Sequence, residues 1–121
     1  MENLLEYGQF VLQTVSPAAD ESQRDGQIFG AMGLASEAGE IAEIIRKHYY
    51  QGNPWKHNGK DEYQHLKLEL GDALWFWMLT VIKSGFDPYD VIATNVAKIK
   101  ARYPEGHFSV ERNLNRVETD V

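Results

Sequence analysis

The stretch LELGDALWFWMLTVIKSG, residues 68–85, contains the longest nearly apolar run of the chain. The ten residues from Ala73 to Ile82 are nearly all apolar, but a membrane-spanning helix needs about 20 such residues. We therefore expect no membrane span. Apolar residues recur at helical spacing and predict a helix over about residues 61–84. They are Leu66, Leu70, Ala73, Trp77 and Val81.

This predicted helix is apolar on nearly every side from Ala73 onward. A helix at the surface of a small monomer keeps one polar face, so this one is either central in its domain or packed against another subunit. We predict the second arrangement, with Trp75, Phe76 and Leu79 partly buried between subunits.

Helical spacing also predicts three further helices, at about residues 3–15, 27–50 and 88–103. Asp87-Pro88 predicts an N-cap followed by a first-turn proline, and Gly85 is typical of a helix end. Four helices with short connections indicate an all-α protein with a four-helix bundle-like core.

Signals for β-strands are weak along the whole chain. The pair Asn58-Gly59 lies in a polar segment, and we predict that residues 51–60 form a loop. Residues 1–121 suffice for one domain with a real core. We expect the polar tail from about residue 106 to be ordered only where something holds it.

The second predicted helix carries several glycines, each of which destabilises a helix interior by about 1 kcal/mol relative to alanine. Gly26, Gly30, Gly33, Glu37 and Glu40 follow one another along a single face. The glycines indicate that another part of the protein approaches the backbone closely, and we expect them to leave room beside the two carboxylates.

The charge balance narrows the function. The 121 residues include 18 acidic and 12 basic side chains, which gives a formal net charge of -6. A nucleic-acid polymer is an unsuitable partner for such a chain, because phosphate neutralisation needs a positive surface. Cysteine is absent, which excludes disulfides, zinc–thiolate sites and cysteine nucleophiles. We find no signal-peptide pattern and expect a cytoplasmic protein.

Two acidic pairs are the strongest candidates for a functional site. Glu37-x-x-Glu40 and Glu69-x-x-Asp72 each place two carboxylates on one helix face. If neighbouring helices aim the pairs at each other, each like-charge pair repels by roughly 2–3 kcal/mol at about 6 Å. Divalent cations relieve this repulsion, and Mg²⁺ suits sites built from carboxylates and phosphates. The alternative is that both pairs are solvated surface charges.

A basic face on the fourth predicted helix complements these carboxylates. Asn95, Lys98 and Arg102 are spaced i, i+3, i+7 and could grip a polyphosphate, although a solvated basic face has the same pattern. The chain has no P-loop motif and no Glu-x-x-His pair of the di-iron type. His65 is either an extra ligand beside Glu69 or a histidine without a site role.

The two acidic pairs, followed by Asn95-x-x-Lys98 and Arg102-Tyr103-Pro104, resemble the MazG-like nucleoside triphosphate pyrophosphohydrolases. The strings Ser36-Glu-Ala-Gly-Glu40 and Leu70-Gly-Asp-Ala-Leu74 are similar to that family as well. The resemblance covers about residues 28–103. The family belongs to an all-α pyrophosphatase superfamily that includes dimeric deoxyuridine triphosphatases.

The resemblance implies a homodimer or homotetramer that binds a nucleotide substrate. It implies Mg²⁺, with Mn²⁺ as a substitute, and assigns roles by position. The metal ligands would be Glu37, Glu40, Glu69 and Asp72, and the nucleotide contacts would be Asn95, Lys98 and Arg102.

The implied reaction is hydrolysis of an ordinary or modified nucleoside triphosphate, including deoxy forms, to the monophosphate and pyrophosphate. Water would attack the α-phosphorus, and we assign Glu40 to orient or deprotonate it. Base preference does not follow from the family, because the segment around Trp55 and the first helix fit no general pattern. The alternative is a non-catalytic helical module for nucleotide binding or oligomerisation.

Overall fold

The computed structural model describes residues 1–117 and 120. Their contacts divide the chain into two compact units, Met1–Gly85 and Phe86–Val121. The elements in chain order are α1 (Leu4–Thr14), a 3-10 helix (Pro17–Asp20), α2 (Gln23–Tyr50), β1 (Lys56–His57), β2 (Lys60–Asp61), α3 (Glu62–Lys83), α4 (Pro88–Arg102) and α5 (Val110–Leu114). The predicted helical class is confirmed. Within the described residues, no helix combines the length and apolar character that crossing a membrane requires.

Side-chain caps set where the helices begin. The side-chain oxygens of Asn3, Ser22 and Asp61 each accept a hydrogen bond from a first-turn backbone N–H of α1, α2 and α3. Asp87 does the same for α4, and Pro88 occupies its first turn, so this predicted start is confirmed. Gly85 follows α3 with a φ of 81°. Helices often end at a residue in this left-handed conformation, which glycine adopts without strain.

The core of the first unit lies between α1 and α3. Val11, Met78 and Leu79 are fully buried there. The prediction that Leu79 lies between subunits is therefore wrong, because one chain already covers it. Trp75 is half-buried, and its Nε1 donates a hydrogen bond to Thr14 Oγ1 at 3.0 Å, which ties α3 to α1.

The glycine face of α2 packs directly against α3. A Cβ atom on Gly33 would lie 2.2 Å from the ring of Phe76, and one on Gly30 would lie 2.3 Å from Thr80 Oγ1. Real Cβ atoms do not approach so closely, so these positions require glycine. The predicted close approach is confirmed. However, side chains of α3 fill the space along the glycines, which was expected to stay open.

The segment predicted as a loop contains a small hairpin. β1 and β2 pair antiparallel, with Lys56 opposite Asp61 and His57 opposite Lys60. Asn58 and Gly59 connect them with φ angles of 50° and 80°, as a tight hairpin turn requires. The prediction of a plain loop was wrong because two-residue exposed strands show no alternating apolar pattern.

The second unit contains one helix that was not predicted. α4 ends before Tyr103-Pro104 as expected, but the polar tail then forms α5, which has five residues. Ser109 caps α5 by accepting a hydrogen bond from Arg112 N at 3.3 Å. The ring of Phe108 lies 5.4 Å from that of Tyr103, so the beginning of the tail packs on the end of α4.

Candidate active site

Three carboxylates from two helices meet in the first unit. α2 supplies Glu37 and Glu40, α3 supplies Glu69, and one oxygen of each lies within 4.8 Å of the others. Glu69 is buried, Glu37 is half-buried and Glu40 is exposed. The close packing at Gly33 explains the meeting, because Gly33 stands one turn before Glu37 and lets α2 approach α3. We call these three residues the carboxylate cluster.

Two oxygens of the carboxylate cluster lack a donor. Glu37 Oε2 and Glu69 Oε2 are buried, and no described residue donates a hydrogen bond to either. Another carboxyl can partner them only when a proton lies between the two groups. A buried charge without a partner is strongly destabilising. Unpartnered carboxylate oxygens are also the ligands that Mg²⁺ and other hard divalent cations prefer, so this donor set fits such an ion.

The carboxylates of the cluster disfavour one another's ionisation when no cation neutralises them. A hydrogen bond with Glu69, together with the charge of that carboxylate, raises the pKa of Glu40. The pKa of Glu69 is raised as well, and the hydrogen-bonding contact with Glu37 is the largest cause. Crowded carboxylates hold protons because like charges disfavour ionisation. A cation would favour the deprotonated carboxylates and so act against these raised pKa values.

Asp72 and His65 lie around this cluster. Asp72 is exposed and is not among the three residues whose oxygens meet, but its charge contributes to the raised pKa of Glu69. Its role as a metal ligand remains a prediction. His65 Nε2 lies 3.4 Å from Glu69 Oε1, and its Nδ1 lies 3.3 Å from Glu62 Oε2. His65 therefore stands at the edge of the cluster.

A cavity of about 400 Å³ opens beside Glu40. Its described lining residues are Glu40, Glu43, Ile44, Lys47, His48, Asn53, Lys60, Glu62 and His65. His48 is fixed there, because its ring stacks on Trp55 with centroids 3.8 Å apart and its Nδ1 lies 2.7 Å from Asn53 O. Sequence spacing gave no sign of His48, since the hairpin segment brings Trp55 back to it.

The second unit holds a basic cavity of about 320 Å³. Its described lining residues are Lys98, Ala101, Arg102, Arg112, Asn115, Arg116, Val117 and Asp120; we call it the basic pocket. The two predicted basic residues thus face one space, whereas Asn95 is exposed on α4 and is not among these lining residues. Arg112, Arg116 and Asp120 were not predicted as site residues, because only the turn back into α5 brings them to α4.

A comparison with protein families places these features in context. The family model of the MazG nucleotide pyrophosphohydrolase domain matches residues 31–107. The chain belongs to this family. The predicted resemblance to MazG-like enzymes is thereby confirmed. A search of curated proteins and a search of solved structures gave no match.

The MazG match contains the carboxylate cluster in full and the basic pocket only in part. It includes the whole carboxylate cluster and the residues Lys98 and Arg102 of the basic pocket. It ends before α5 and Asp120. The part of the basic pocket beyond residue 107 therefore has to be understood from this chain's own contacts.

Proposed function

We propose that this MazG-family protein is a magnesium-dependent hydrolase that converts a nucleoside triphosphate to its monophosphate and pyrophosphate. The carboxylate cluster is the main support, because two of its buried oxygens have no donor among the described residues. A divalent cation would provide these two oxygens with the partner that they lack. Family membership supports nucleotide pyrophosphohydrolase chemistry.

Four carboxylates would hold the ion: Glu37, Glu40, Glu69 and Asp72. Glu37, Glu40 and Glu69 offer oxygens that already meet, and Asp72 follows Glu69 by one helical turn. Mg²⁺ is the proposed ion, and Mn²⁺ would substitute because it also accepts oxygen ligands. When bound, the ion supplies positive charge that offsets phosphate charge and makes water more acidic.

Glu40 is the proposed general base. It is the exposed member of the carboxylate cluster and borders the cavity where a substrate has room. A carboxylate in this position can orient a water molecule and accept its proton during attack on the α-phosphorus. The bond between the α-phosphorus and the oxygen that bridges it to the β-phosphorus then breaks. Pyrophosphate leaves with the electron pair of that bond.

Lys98, Arg102 and Asn95 are the proposed nucleotide contacts. Lys98 and Arg102 line one pocket, and a guanidinium beside an ammonium can bind several phosphate oxygens at once. Positive charge held there would stabilise the negative charge that develops on departing pyrophosphate. Asn95 would add a neutral contact to the nucleotide.

The cavity beside Glu40 suits the nucleoside better than the phosphates. Three carboxylates line it, those of Glu40, Glu43 and Glu62, against the two ammonium groups of Lys47 and Lys60. This surplus of negative charge disfavours a phosphate and tolerates a neutral base. We propose that the segment carrying Trp55, which holds His48 in place, sets the choice of base.

We also propose that the protein works as a homodimer or homotetramer. Large apolar side chains remain exposed on single helices of the first unit, including Met32 at 69% on α2 and Leu68, Leu70 and Leu74 on α3. Burial of such side chains between subunits would remove apolar surface from water, which favours assembly. Sedimentation at micromolar concentration should give at least twice the mass of one chain, and a strictly monomeric mass would contradict this assembly.

Product analysis tests the proposed reaction. The purified protein is incubated with Mg²⁺ and a panel of ordinary and modified nucleoside triphosphates, and the phosphate products are separated. We expect equal amounts of nucleoside monophosphate and pyrophosphate from at least one substrate. Release of orthophosphate with a nucleoside diphosphate would overturn the reaction. Binding of nucleotide and metal with both recovered unchanged would instead favour a non-catalytic module.

A further inference from the structure

Asp120 forms an ion pair with the guanidinium of Arg102 inside the basic pocket. Arg102 Nε donates to Asp120 Oδ2 and Arg102 Nη2 donates to Asp120 Oδ1, both at 2.6 Å. The side chains of Arg102 and Asp120 are only 12% and 8% exposed. The pair is therefore a bidentate, nearly buried ion pair, which is much stronger than a surface salt bridge.

The other groups of the basic pocket leave it with excess positive charge. Four basic side chains line it, those of Lys98, Arg102, Arg112 and Arg116, and Asp120 is the carboxylate among the described lining residues. Arg112 also pairs with Glu105 at 2.7 Å, but both of those side chains are about half exposed. Among the described lining residues, one carboxylate thus lies among four cations, in a cavity that could hold a larger anion.

A carboxylate and a phosphate present the same face to arginine. Each offers two oxygens to the parallel N–H groups of the guanidinium fork, and each carries negative charge. The Asp120 carboxylate therefore occupies the Nε–Nη2 edge of Arg102, where it competes with any phosphate of the substrate that binds this edge. Both groups cannot occupy the two N–H donors at once.

We propose that Asp120 is an internal competitor for the phosphate site: its carboxylate fills the basic pocket until the phosphates of the substrate, or pyrophosphate, displace it. This inference rests on the proposed function only for the role of Arg102 in binding phosphate. Since the occupied pocket must open before an anion enters, the apparent affinity falls by the fraction of molecules in which Arg102 is free. Arg112 and Arg116 then provide further positive charge for the incoming anion.

The competing explanation is that the pair only fastens the end of the chain to α4. The two explanations predict opposite effects of Asp120→Asn. If Asp120 is a competitor, removing its charge leaves the pocket more available, and anion binding tightens. If the ion pair only holds the segment around Asp120 against α4, weakening it lowers the melting temperature and leaves anion binding unchanged or weaker.

The test is calorimetric titration of the full chain with inorganic pyrophosphate, in the absence of divalent cations. Asp120→Asn should bind pyrophosphate about tenfold more tightly than wild type if the pocket is closed about nine-tenths of the time. Glu111→Gln is the matched control, because it removes one negative charge from α5 outside the basic pocket. Its affinity should remain near that of wild type. Equal tightening in both variants, or none in Asp120→Asn, would overturn the proposal.

A double-mutant cycle locates the effect on Arg102. Arg102→Gln should lose most pyrophosphate binding, and adding Asp120→Asn to it should give no tightening. Tightening in the double variant that equals that of the single variant would show that Asp120 acts elsewhere. The titration needs no turnover. A protein that hydrolyses nothing but shows the tightening would contradict the proposed function alone, and active enzyme without the tightening would contradict this inference alone.

Discussion

The carboxylate cluster and the basic pocket solve the problem of buried charge in opposite ways. In the cluster, Glu37, Glu40 and Glu69 crowd like charges together, and two oxygens lack donors among the described residues. In the pocket, Asp120 lies on Arg102 through two hydrogen bonds, which hold the pKa of Asp120 below its usual value. The difference is that the chain supplies a counter-charge to the carboxylate in the pocket, whereas no described residue donates to the two buried oxygens of the cluster.

The largest effect should come from removing the exposed charge of the cluster. Glu40→Gln keeps the shape of the side chain but can neither bind a cation as a carboxylate nor accept a proton. We expect kcat to fall by roughly 10²–10⁴-fold, the usual contribution of a general base. Steady-state kinetics with Mg²⁺ and the best substrate of the panel measure this.

Glu43→Gln is the matched control for this experiment. Glu43 lies one turn further along α2, outside the cluster, where it pairs with Lys47 at 3.0 Å. Its kcat should stay near that of wild type, because exposed pairs of this kind contribute little; since Glu43 lines the cavity beside Glu40, any effect on nucleoside binding should change KM instead. Wild-type rates in Glu40→Gln, or equal losses in both variants, would remove Glu40 from the catalytic machinery.

A second, smaller effect should follow from separating the helices that form the cluster. Gly30→Ala places a Cβ 2.3 Å from Thr80 Oγ1 and 3.1 Å from the backbone nitrogen of Thr80. Overpacking of this kind destabilises by about 1–3 kcal/mol, although alanine regains about 1 kcal/mol of helix propensity. Denaturant unfolding should show a net loss, and Mg²⁺ affinity should fall because α2 moves away from α3.

Gly39→Ala provides the control on the same helix. No atom lies within 4 Å of a Cβ built there, so alanine should stabilise the protein by up to about 1 kcal/mol through helix propensity alone. A Gly30→Ala protein as stable as Gly39→Ala, with unchanged metal affinity, would show that close helix packing does not form the cluster.

The smallest effect is a pH dependence of stability that distinguishes the carboxylate cluster from the basic pocket. The folded-state pKa values of Glu40 and Glu69 are raised, so these two groups bind more protons in the folded protein than in the unfolded chain between about pH 4.3 and their folded pKa values. This contribution to stability is fully present below the unfolded pKa and is lost as pH rises through the folded pKa. Mg²⁺ should restore it.

Melting temperatures across this range, with and without Mg²⁺, measure the effect. Glu43, Glu105 and Asp120 have lowered pKa values, so their contributions grow as pH rises above the lowered values and oppose that of the cluster. The difference between wild type and Glu69→Gln cancels those opposing contributions. A difference that does not change with pH would show that Glu69 gains no proton on folding.

The sequence predicts more of the helices and the acidic pairs than of the second unit. Helical spacing and the Asp87-Pro88 cap depend on neighbouring residues, so they are visible in a linear pattern. The hairpin at Asn58-Gly59 and helix α5 are too short and too polar to produce such a pattern.

Contacts between distant residues limited the prediction of the sites. The acidic pairs could be recognised because each lies on one helix, and a meeting could be anticipated because helices of a bundle are neighbours. Three of the four carboxylates do meet. The ion pair of Arg102 with Asp120 joins residues 18 positions apart, and no local spacing marks it. Leu79 was misplaced because an apolar helix looks the same whether one chain or two cover it.

Calorimetric titration of the metal-free protein with Mg²⁺, in two buffers of different ionisation enthalpy, tests the proposal that the carboxylate cluster is a metal site. At a pH near the raised pKa values of Glu40 and Glu69, we expect saturable binding that releases protons, because the cation binds the deprotonated carboxylates. Both the binding and the proton release should be lost in Glu37→Gln and Glu69→Gln but kept in Glu43→Gln. Wild-type Mg²⁺ affinity in the first two variants, or binding without proton release, would contradict it.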